Sequence, residues 1–359
     1  MRAIIASQIY LHPERRGKLR ALAGLGVAVA AAVPGAVAEE DAGVRIFPIP
    51  TQGDRASPEA EWSGPAIRRL FTDFRPDLVQ IEEEPITRAA ATITTEAARL
   101  GISVVVFSQD PDSGPGFRAR RRAAKVLRAA RGAIAGNSRA LEHLRQALSG
   151  KPVVAMPQTG ISLPPPVERP VHQELSIGYV GRLLADREVD LLLRACASIM
   201  GSWTLTIAGT GPEQESLELL AQRLGLASRV RWLGGVTRAQ VEALWKDVDC
   251  LVMPARPQAG GGGGGGGAER WSLILVEAMA RGVIPVVMEG GIPEALVGSA
   301  GKVARDEESL GVTLQTLRAY PDERPRLAAA ARQRVLDQFV DAALAEQTLD
   351  LWERILSVR

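Results

Sequence analysis

Two carboxylates, Glu269 and Glu277, stand eight residues apart around an apolar run that continues through Ala278, Met279, Ala280 and Arg281 to Gly282. The pattern predicts a short helix with a glycine stop. At 100° per residue, eight steps separate the two side chains by about 80°, so both acids can face one side. Ser272 is a suitable N-cap, with Leu273 directly behind it. The free backbone N–H groups and positive dipole end of this helix would then lie beside Glu269 and suit an anion such as phosphate. Cations to complete such a site stand after an earlier strand, where Arg182 follows Gly181 and Arg187 comes five residues later. Both guanidinium groups can reach one strand mouth and neutralise a pyrophosphate. Taken by themselves, two glutamates eight apart also fit the solvated face of an ordinary helix.

The elements that must hold these residues read as strand and helix in turn. From 176 to 180 a strand ends in Gly181 and Arg182, followed by a helix over 189–200 and a strand over 204–208. The turn Gly209-Thr210-Gly211-Pro212, a helix over 213–224, a strand over 230–233, a helix over 238–246 and a strand over 250–253 lead to the Glu277 helix. Beyond it, 283–288 reads as a buried strand broken by Pro285, and Gly290-Gly291-Ile292-Pro293-Glu294 as a turn. The first 150 residues alternate in the same way, with strands at 3–9, 27–33, 44–49, 77–81, 103–107 and 133–135. Helices are expected at 15–22, 65–74, 89–100 and 119–130. Such alternation argues for parallel, doubly wound sheets. Their ligands bind beyond the carboxyl ends of the strands, which draws attention to the loops 8–18, 82–87 and 108–117.

With 359 residues the chain can form two domains, each burying its own core. Prolines thicken from Pro157 to Pro170, so the expected division is a first domain over 1–160, a hinge over 161–174, a second domain over 175–335, and a final helix over 336–359 crossing back to the first. Formal net charge is only +2, from 43 Lys and Arg against 41 Asp and Glu, so no global field argues for nucleic acid. Cys196 and Cys250 lie in apolar contexts without metal-ligand spacing, and a reducing cytoplasm is the simple reading. Arg15, Arg16, Lys18 and Arg20 precede an Ala/Val/Gly run over 21–33 in a way that imitates an export signal. An apolar strand stands before that basic region, however, and the run reads better as a helix leading into a second strand. No run is long and apolar enough to span a bilayer.

The succession Gly181-Arg182, Gly209 to Pro212, Glu269, Glu277 and Gly290-Gly291-Ile292-Pro293-Glu294 resembles the retaining glycosyltransferases of family 4, the group 1 glycosyltransferases. Their signature is Glu, seven residues, Glu, with a Gly-Gly-Ile-Pro-Glu loop further on. The resemblance covers about residues 177 to 297 well and the first half loosely. It implies an α/β fold of two Rossmann-like doubly wound domains facing across a cleft (GT-B), and transfer of a sugar from a nucleoside-diphosphate sugar to an acceptor hydroxyl. It further implies that Glu277 accepts hydrogen bonds from the ribose hydroxyls, that Glu269 contacts the transferred sugar, and that Arg182 and Arg187 hold the diphosphate. Arg187 stands where the family has lysine, and Glu188 where it commonly has glycine. Ser272 and Leu273 would meet the donor at the helix start, while Gly234 and Val236 would shape the pocket for the base. Retention in this family is attributed to the departing phosphate drawing the acceptor proton, so no side-chain general base is obligatory; no metal or other cofactor is expected beside the donor co-substrate.

Other residues carry weaker signals. Asp110-Pro111-Asp112 and Asp247-Val248-Asp249 spell a string used by metal-dependent glycosyltransferases, but here suit turn and cap roles. His12 reads as a surface or satisfied histidine. Glu82, Glu83 and Glu84 end a strand, where one of them can orient an acceptor hydroxyl or all three can form a solvated acidic loop. Gln109 lies at another strand mouth on this acceptor side. Residues 117–131 hold seven basic residues and no acidic one. They form either a solvated helix face or a contact for anionic lipid headgroups or an acidic acceptor. The eight glycines from Gly260 to Gly267 read as a tolerated loop expansion or as part of a lid beside Glu269. The expectation is therefore a cytoplasmic enzyme, peripheral at the inner face of the membrane if 117–131 touches lipid, with a glycan, lipid-linked or small-molecule acceptor. A non-catalytic nucleotide-sugar binder or assembly protein, and an epimerase or phosphorylase of the same fold, are the alternatives.

Overall fold

The computed structural model describes residues 1–35, 37–54, 57–109, 116–165, 173–255 and 273–357. They form two compact units, the first from Met1–Ser162 and Phe339–Arg359, the second from most of the stretch between. In the first unit, β1 (Arg2–Ala6), α1 (Gly17–Gly24), β2 (Ala28–Pro34), β3 (Glu39–Asp41), β4 (Val44–Ile49), β5 (Thr51–Gln52), β6 (Glu61–Trp62) and α2 (Gly64–Phe74) come first. There follow β7 (Leu78–Ile81), α3 (Arg88–Arg99), β8 (Ser103–Ser108), α4 (Phe117–Ala129), β9 (Gly132–Ala135), α5 (Ser138–Ala147) and β10 (Val153–Ala155). The sheet order is β10-β9-β8-β7-β1-β2-β4-β3, parallel except for the edge strand β3. The chain winds from β1 outward through β2 and β4, then returns on the other side of β1 at β7.

Small and β-branched side chains let this sheet be covered on both faces. Ile4, Ala30, Ala32, Val79 and Val106 face one apolar layer, where α2 contributes Ile67, Leu70, Phe71 and Phe74 at helical spacing. Ser63 caps α2 by accepting the Ala66 N–H, and Arg75 ends it in the left-handed conformation at φ 51°. Ala3, Ile5, Val29, Ala31 and Val105 face the other layer, with Leu19 and Leu22 of α1. The run over 21–33 finishes α1 and becomes β2, between β1 and β4. The first strand is shorter than its apolar pattern suggested. The Ser7 hydroxyl accepts the Ile9 N–H and turns Gln8–Leu11 into a 3-10 helix. The pair α5 and β10 is an addition to the sequence reading; α5 is opened by Asn137, whose side chain accepts the Ala140 N–H.

The second unit consists of β11 (Leu175–Val180), α6 (Val189–Ala197), β12 (Trp203–Ala208), α7 (Gln214–Arg223), β13 (Val230–Gly234), α8 (Arg238–Asp247), β14 (Cys250–Met253) and α9 (Leu273–Ala280). It continues through β15 (Ile284–Met288), α10 (Gly291–Val297), β16 (Lys302–Ala304), α11 (Glu307–Ala319) and α12 (Arg324–Gln338). Its six strands are all parallel, in the order β13-β12-β11-β14-β15-β16. Both units are thus doubly wound α/β.

Two expectations are corrected here. Pro285 does not break β15. Ile284 donates to Asp249 O on the β14 side, so the missing N–H of Pro285 faces the opposite side, where β16 begins only opposite Val286. The Gly-Gly-Ile-Pro-Glu string is a helix start as well as a turn. Gly290 takes φ 94°, its N–H donates to the Glu294 carboxylate at 2.5 Å, and α10 begins at Gly291.

The last helix, α13 (Asp341–Ser357), covers the α1 side of the first sheet. Leu344, Leu351, Trp352 and Ile355 pack there, and the Trp352 indole N–H donates to Gln80 Oε1 at 2.8 Å. A Cβ on Gly132 would lie 2.5 Å from Ile355 Cδ1, so only glycine admits the helix this close. Among the described residues, no helix is long and apolar enough to cross a membrane.

Candidate active site

In the second unit three neighbouring strands end in, or are followed directly by, a glycine, and their loops are laced by backbone hydrogen bonds. Gly181 N–H donates to Ala208 O at 3.0 Å, Gly209 N–H to Gly234 O at 2.8 Å, and Leu183 N–H to Thr210 O at 3.0 Å. The loops approach so closely that side chains are excluded. A Cβ on Gly209, at φ 147°, would fall 1.8 Å from Gly181 O, and one on Gly211 would fall 2.0 Å from Leu183 O. Gly234 itself takes φ 64°. The mouth also lies at a reversal of winding, because β12 and β13 extend from one side of β11 while β14 returns on the other. Crevices at such points are where open α/β sheets bind ligands.

Arg182 and Arg187 extend from this mouth, and both are exposed. Arg182 has no ion pair among the described residues, and Arg187 has only a 3.8 Å approach to Asp186. Their charge is therefore available to an anion. The Arg182 backbone is fixed from below, where the buried Tyr179 hydroxyl donates to Arg182 O at 2.9 Å. Burial pushes the Tyr179 phenol up to about 12 against the opposing charge of Arg187, so it remains a donor. Glu188 takes the left-handed conformation, φ 49° and ψ 38°. That backbone favours glycine, which gives a physical reason for the glycine common at this place in the resembling family.

Across the reversal, Glu277 sits on α9 with its side chain 16% exposed, and Arg238 Nη2 meets its Oε1 at 3.1 Å. Arg238 is 76% exposed. It opens α8, where Thr237 and Gln240 form a capping box directly after Gly234, Gly235 and Val236. One ion pair thus links the start of α8 to the helix after β14. Arg281 supports the same helix by donating to Glu277 O at 2.7 Å and to Glu242 Oε1 at 2.6 Å. Leu273, at the helix start, is half-buried. Glu269, Ser272 and the glycines 260–267 lie outside the described residues, as do Asp110 and Asp112.

The acidic strand end of the first unit is corrected in one respect. Glu82 is neither solvated nor open to an acceptor. Its carboxylate is buried and receives Lys18 Nζ at 2.6 Å, the Tyr10 hydroxyl at 2.8 Å and Gln80 Nε2 at 2.6 Å. Lys18, one of the basic residues of the run that imitates an export signal, has a side chain only 1% exposed and also donates to Gln158 O at 2.6 Å. Burial and the nearby carboxylate of Glu82 push the Tyr10 hydroxyl well above its ordinary range. Glu83 is half-buried, accepts the Gln8 N–H at 2.8 Å, and is pushed up to about 7, chiefly by burial and then by the charges of Glu82 and Glu84. Gln109 donates its backbone N–H to Glu84 at 2.7 Å and approaches Gln158 Oε1 at 3.4 Å. Glu83 and Gln109 therefore share one group of strand mouths at the β1 and β7 reversal, while Glu82 belongs to the core beneath it.

Of the remaining sequence signals, Asp249 is spent on structure, receiving the Ser176 N–H at 2.9 Å and Arg324 Nη1 at 3.4 Å. His12 is exposed beside Glu14. Cys196 and Cys250 are free and buried, and burial pushes both thiols up. Sequence reasoning passed over Arg238 and Tyr179. Only the position of Arg238 just after the Gly-Gly-Val-Thr turn could have marked it, since its partner is 39 residues away.

The α/β unit thus combines glycine-laced strand ends, an Arg182 with no ion pair among the described residues, an Arg187 with one 3.8 Å approach to Asp186, and the Glu277 carboxylate on α9 at a reversal of winding. Residues 165–334 match the family model Glycosyl transferases group 1. The D-inositol 3-phosphate glycosyltransferase of Mycolicibacterium smegmatis is 27% identical over 194 residues, which is 52% of this chain and 42% of that protein. The lipopolysaccharide core biosynthesis glycosyltransferase LpsD of Rhizobium meliloti is 28% identical over 199 residues, 54% of this chain and 55% of that one. The chain spans about half the length of the curated relatives it matches. Among solved structures, Anabaena HepE in complex with UDP aligns with TM-score 0.66 at 17% identity, covering 99% of this chain and 100% of its own. Sucrose-phosphate synthase from Thermosynechococcus elongatus aligns with TM-score 0.63 at 16% identity over 100% of both chains. At these identities the structural matches show the fold and nothing further.

Proposed function

We propose that the chain is a retaining, metal-independent glycosyltransferase of family 4 type that moves a sugar from a nucleoside-diphosphate sugar to a hydroxyl of a glycan, lipid-linked or small-molecule acceptor. The observation that carries this reading is the strand mouth where the loops at Gly181, Gly209 and Gly234 are laced by backbone hydrogen bonds beside Arg182 and Arg187, with Glu277 on the helix across the reversal. Arg182 and Arg187 neutralise the diphosphate as it departs, which is electrostatic stabilisation where charge develops. Glu277, mostly withdrawn from water, accepts from two ribose hydroxyls, and the loop from Gly234 to Val236 lies against the base. Leu273 brings the helix start to the donor, and Ser272 is assigned to the donor and Glu269 to the transferred sugar. In the free protein Arg238 occupies Glu277, and the donor ribose displaces it.

Two arginines can supply the positive charge that a divalent cation supplies elsewhere, which supports the metal-independent reading. The acceptor side falls to the first unit, at the mouths that carry Glu83 and Gln109. A fold relative solved with UDP makes uridine the first base to try. The test is turnover by the purified chain on UDP, GDP and ADP sugars against a panel of hydroxyl acceptors in excess chelator, with the anomeric configuration of the product read by NMR. Transfer with retention supports the proposal. An inverted product, or transfer abolished by the chelator and restored by a divalent cation, overturns it.

A further inference from the structure

The helix α4 is anchored on one side only. Ala119, Val126 and Leu127 are buried, with Val126 and Leu127 in the core beneath. Arg122 turns toward the protein, donating to Ile86 O at 2.9 Å and pairing with Glu59, which Arg122 and then Arg88 hold down at about 2. Lys125 reaches Thr95 Oγ1 at 3.4 Å. The remaining cations behave differently. Arg118, Arg120, Arg121, Arg128 and Arg131 are exposed, and none has an ion pair among the described residues. Phe117, 73% exposed, starts the helix, and the Arg121 guanidinium lies over its ring at 5.5 Å.

Helical spacing places Phe117, Arg118, Arg121, Lys125 and Arg128 within an arc of about 100°, spread along about 17 Å of helix. We infer that this face of α4 docks on an anionic lipid surface. Arginines dispersed along a helix, rather than converging on a point, match a plane of headgroups better than a single phosphate. The aromatic ring among them can enter the interface between headgroups and acyl chains while its stacked arginine stays at the phosphates. The whole chain carries a net charge of only +2, so the attraction is local to this face and does not amount to general affinity for polyanions. The inference stands apart from the glycosyl-transfer reading and needs neither donor nor acceptor.

The test is co-sedimentation of the full chain with vesicles of phosphatidylcholine and with vesicles containing about one-third phosphatidylglycerol. The comparison protein is the triple variant Arg118→Gln, Arg121→Gln, Arg128→Gln, with thermal unfolding as the check that it folds. Each arginine near an anionic surface is worth roughly fivefold in binding. The triple variant is therefore expected to bind anionic vesicles on the order of a hundredfold more weakly, at an unchanged melting temperature. The wild-type chain should ignore neutral vesicles and detach in molar salt, and Phe117→Ser should weaken binding severalfold. Equal binding to neutral vesicles, undiminished binding by a folded triple variant, or tighter binding to a DNA duplex than to anionic vesicles at the same salt would each overturn the inference.

Discussion

Replacing Glu277 by alanine separates binding from folding, because the structure assigns this carboxylate little structural work. Its ion-pair partner Arg238 is 76% exposed, so the pair contributes at most about 1 kcal/mol to stability. Alanine is also the best helix former at an α9 position. The variant should therefore unfold within about 1 kcal/mol of the wild type, a shift of a few degrees in melting temperature. Donor binding should respond very differently. A carboxylate accepting from two ribose hydroxyls makes charge-assisted hydrogen bonds of about 1.5–3 kcal/mol each. Their joint loss, about 3–6 kcal/mol, corresponds to on the order of a hundred- to ten-thousandfold in affinity. Calorimetric titration with the donor, beside thermal unfolding of the same preparation, reads both quantities. Unchanged donor affinity would refute the assignment of Glu277, and a collapse of stability would show that it is structural.

Gly209→Ala should be severe, because the new Cβ would meet Gly181 O at 1.8 Å at a φ that alanine avoids; a loss of several kcal/mol in chemical denaturation is expected, and wild-type stability would deny the close approach. Lys18→Met leaves the buried Glu82 carboxylate without its cation and should cost about 3–5 kcal/mol, most of it recovered in the double variant Lys18→Met, Glu82→Gln; urea melts of both variants check this. Glu83 is pushed up to about 7 from an ordinary value of 4.5, so the folded state holds this proton more tightly than the unfolded state does. Its contribution to stability is complete below about pH 4.5 and is lost as pH rises through about 7, a fall on the order of 2–3 kcal/mol that Glu83→Gln should remove from the pH dependence of the melting temperature.

The fold was legible because its strands are short apolar runs separated by helical patterns, and parallel sheets buried on both faces require such runs. Gly181-Arg182 and Glu277 could be read for a related reason: each sits in a local string whose neighbours restrict its backbone. Lys18 could not be read this way. It lies among Arg15, Arg16 and Arg20, and nothing local reveals that Glu82, 64 residues on, draws it into the core. The pairing of Arg238 with Glu277 was hidden for the same reason. Pro285 misled because a proline is harmless on the unpaired side of a strand, and pairing side is a property of the sheet. The acidic triplet 82–84 spells three like residues, yet each points to a different set of donors, a distinction that only the alternation of the strand end and the packing around it create.

The central claim is that the strand mouth of the second unit holds a nucleoside-diphosphate sugar by its own arginines. The most direct measurement is calorimetric titration of the wild-type chain and of the double variant Arg182→Ala, Arg187→Ala with UDP, GDP and ADP sugars in excess chelator. The account predicts saturable, one-to-one binding of one of these donors to the wild type in chelator, and its loss in the folded double variant. Binding that disappears with chelator, or that survives removal of both arginines, would contradict it.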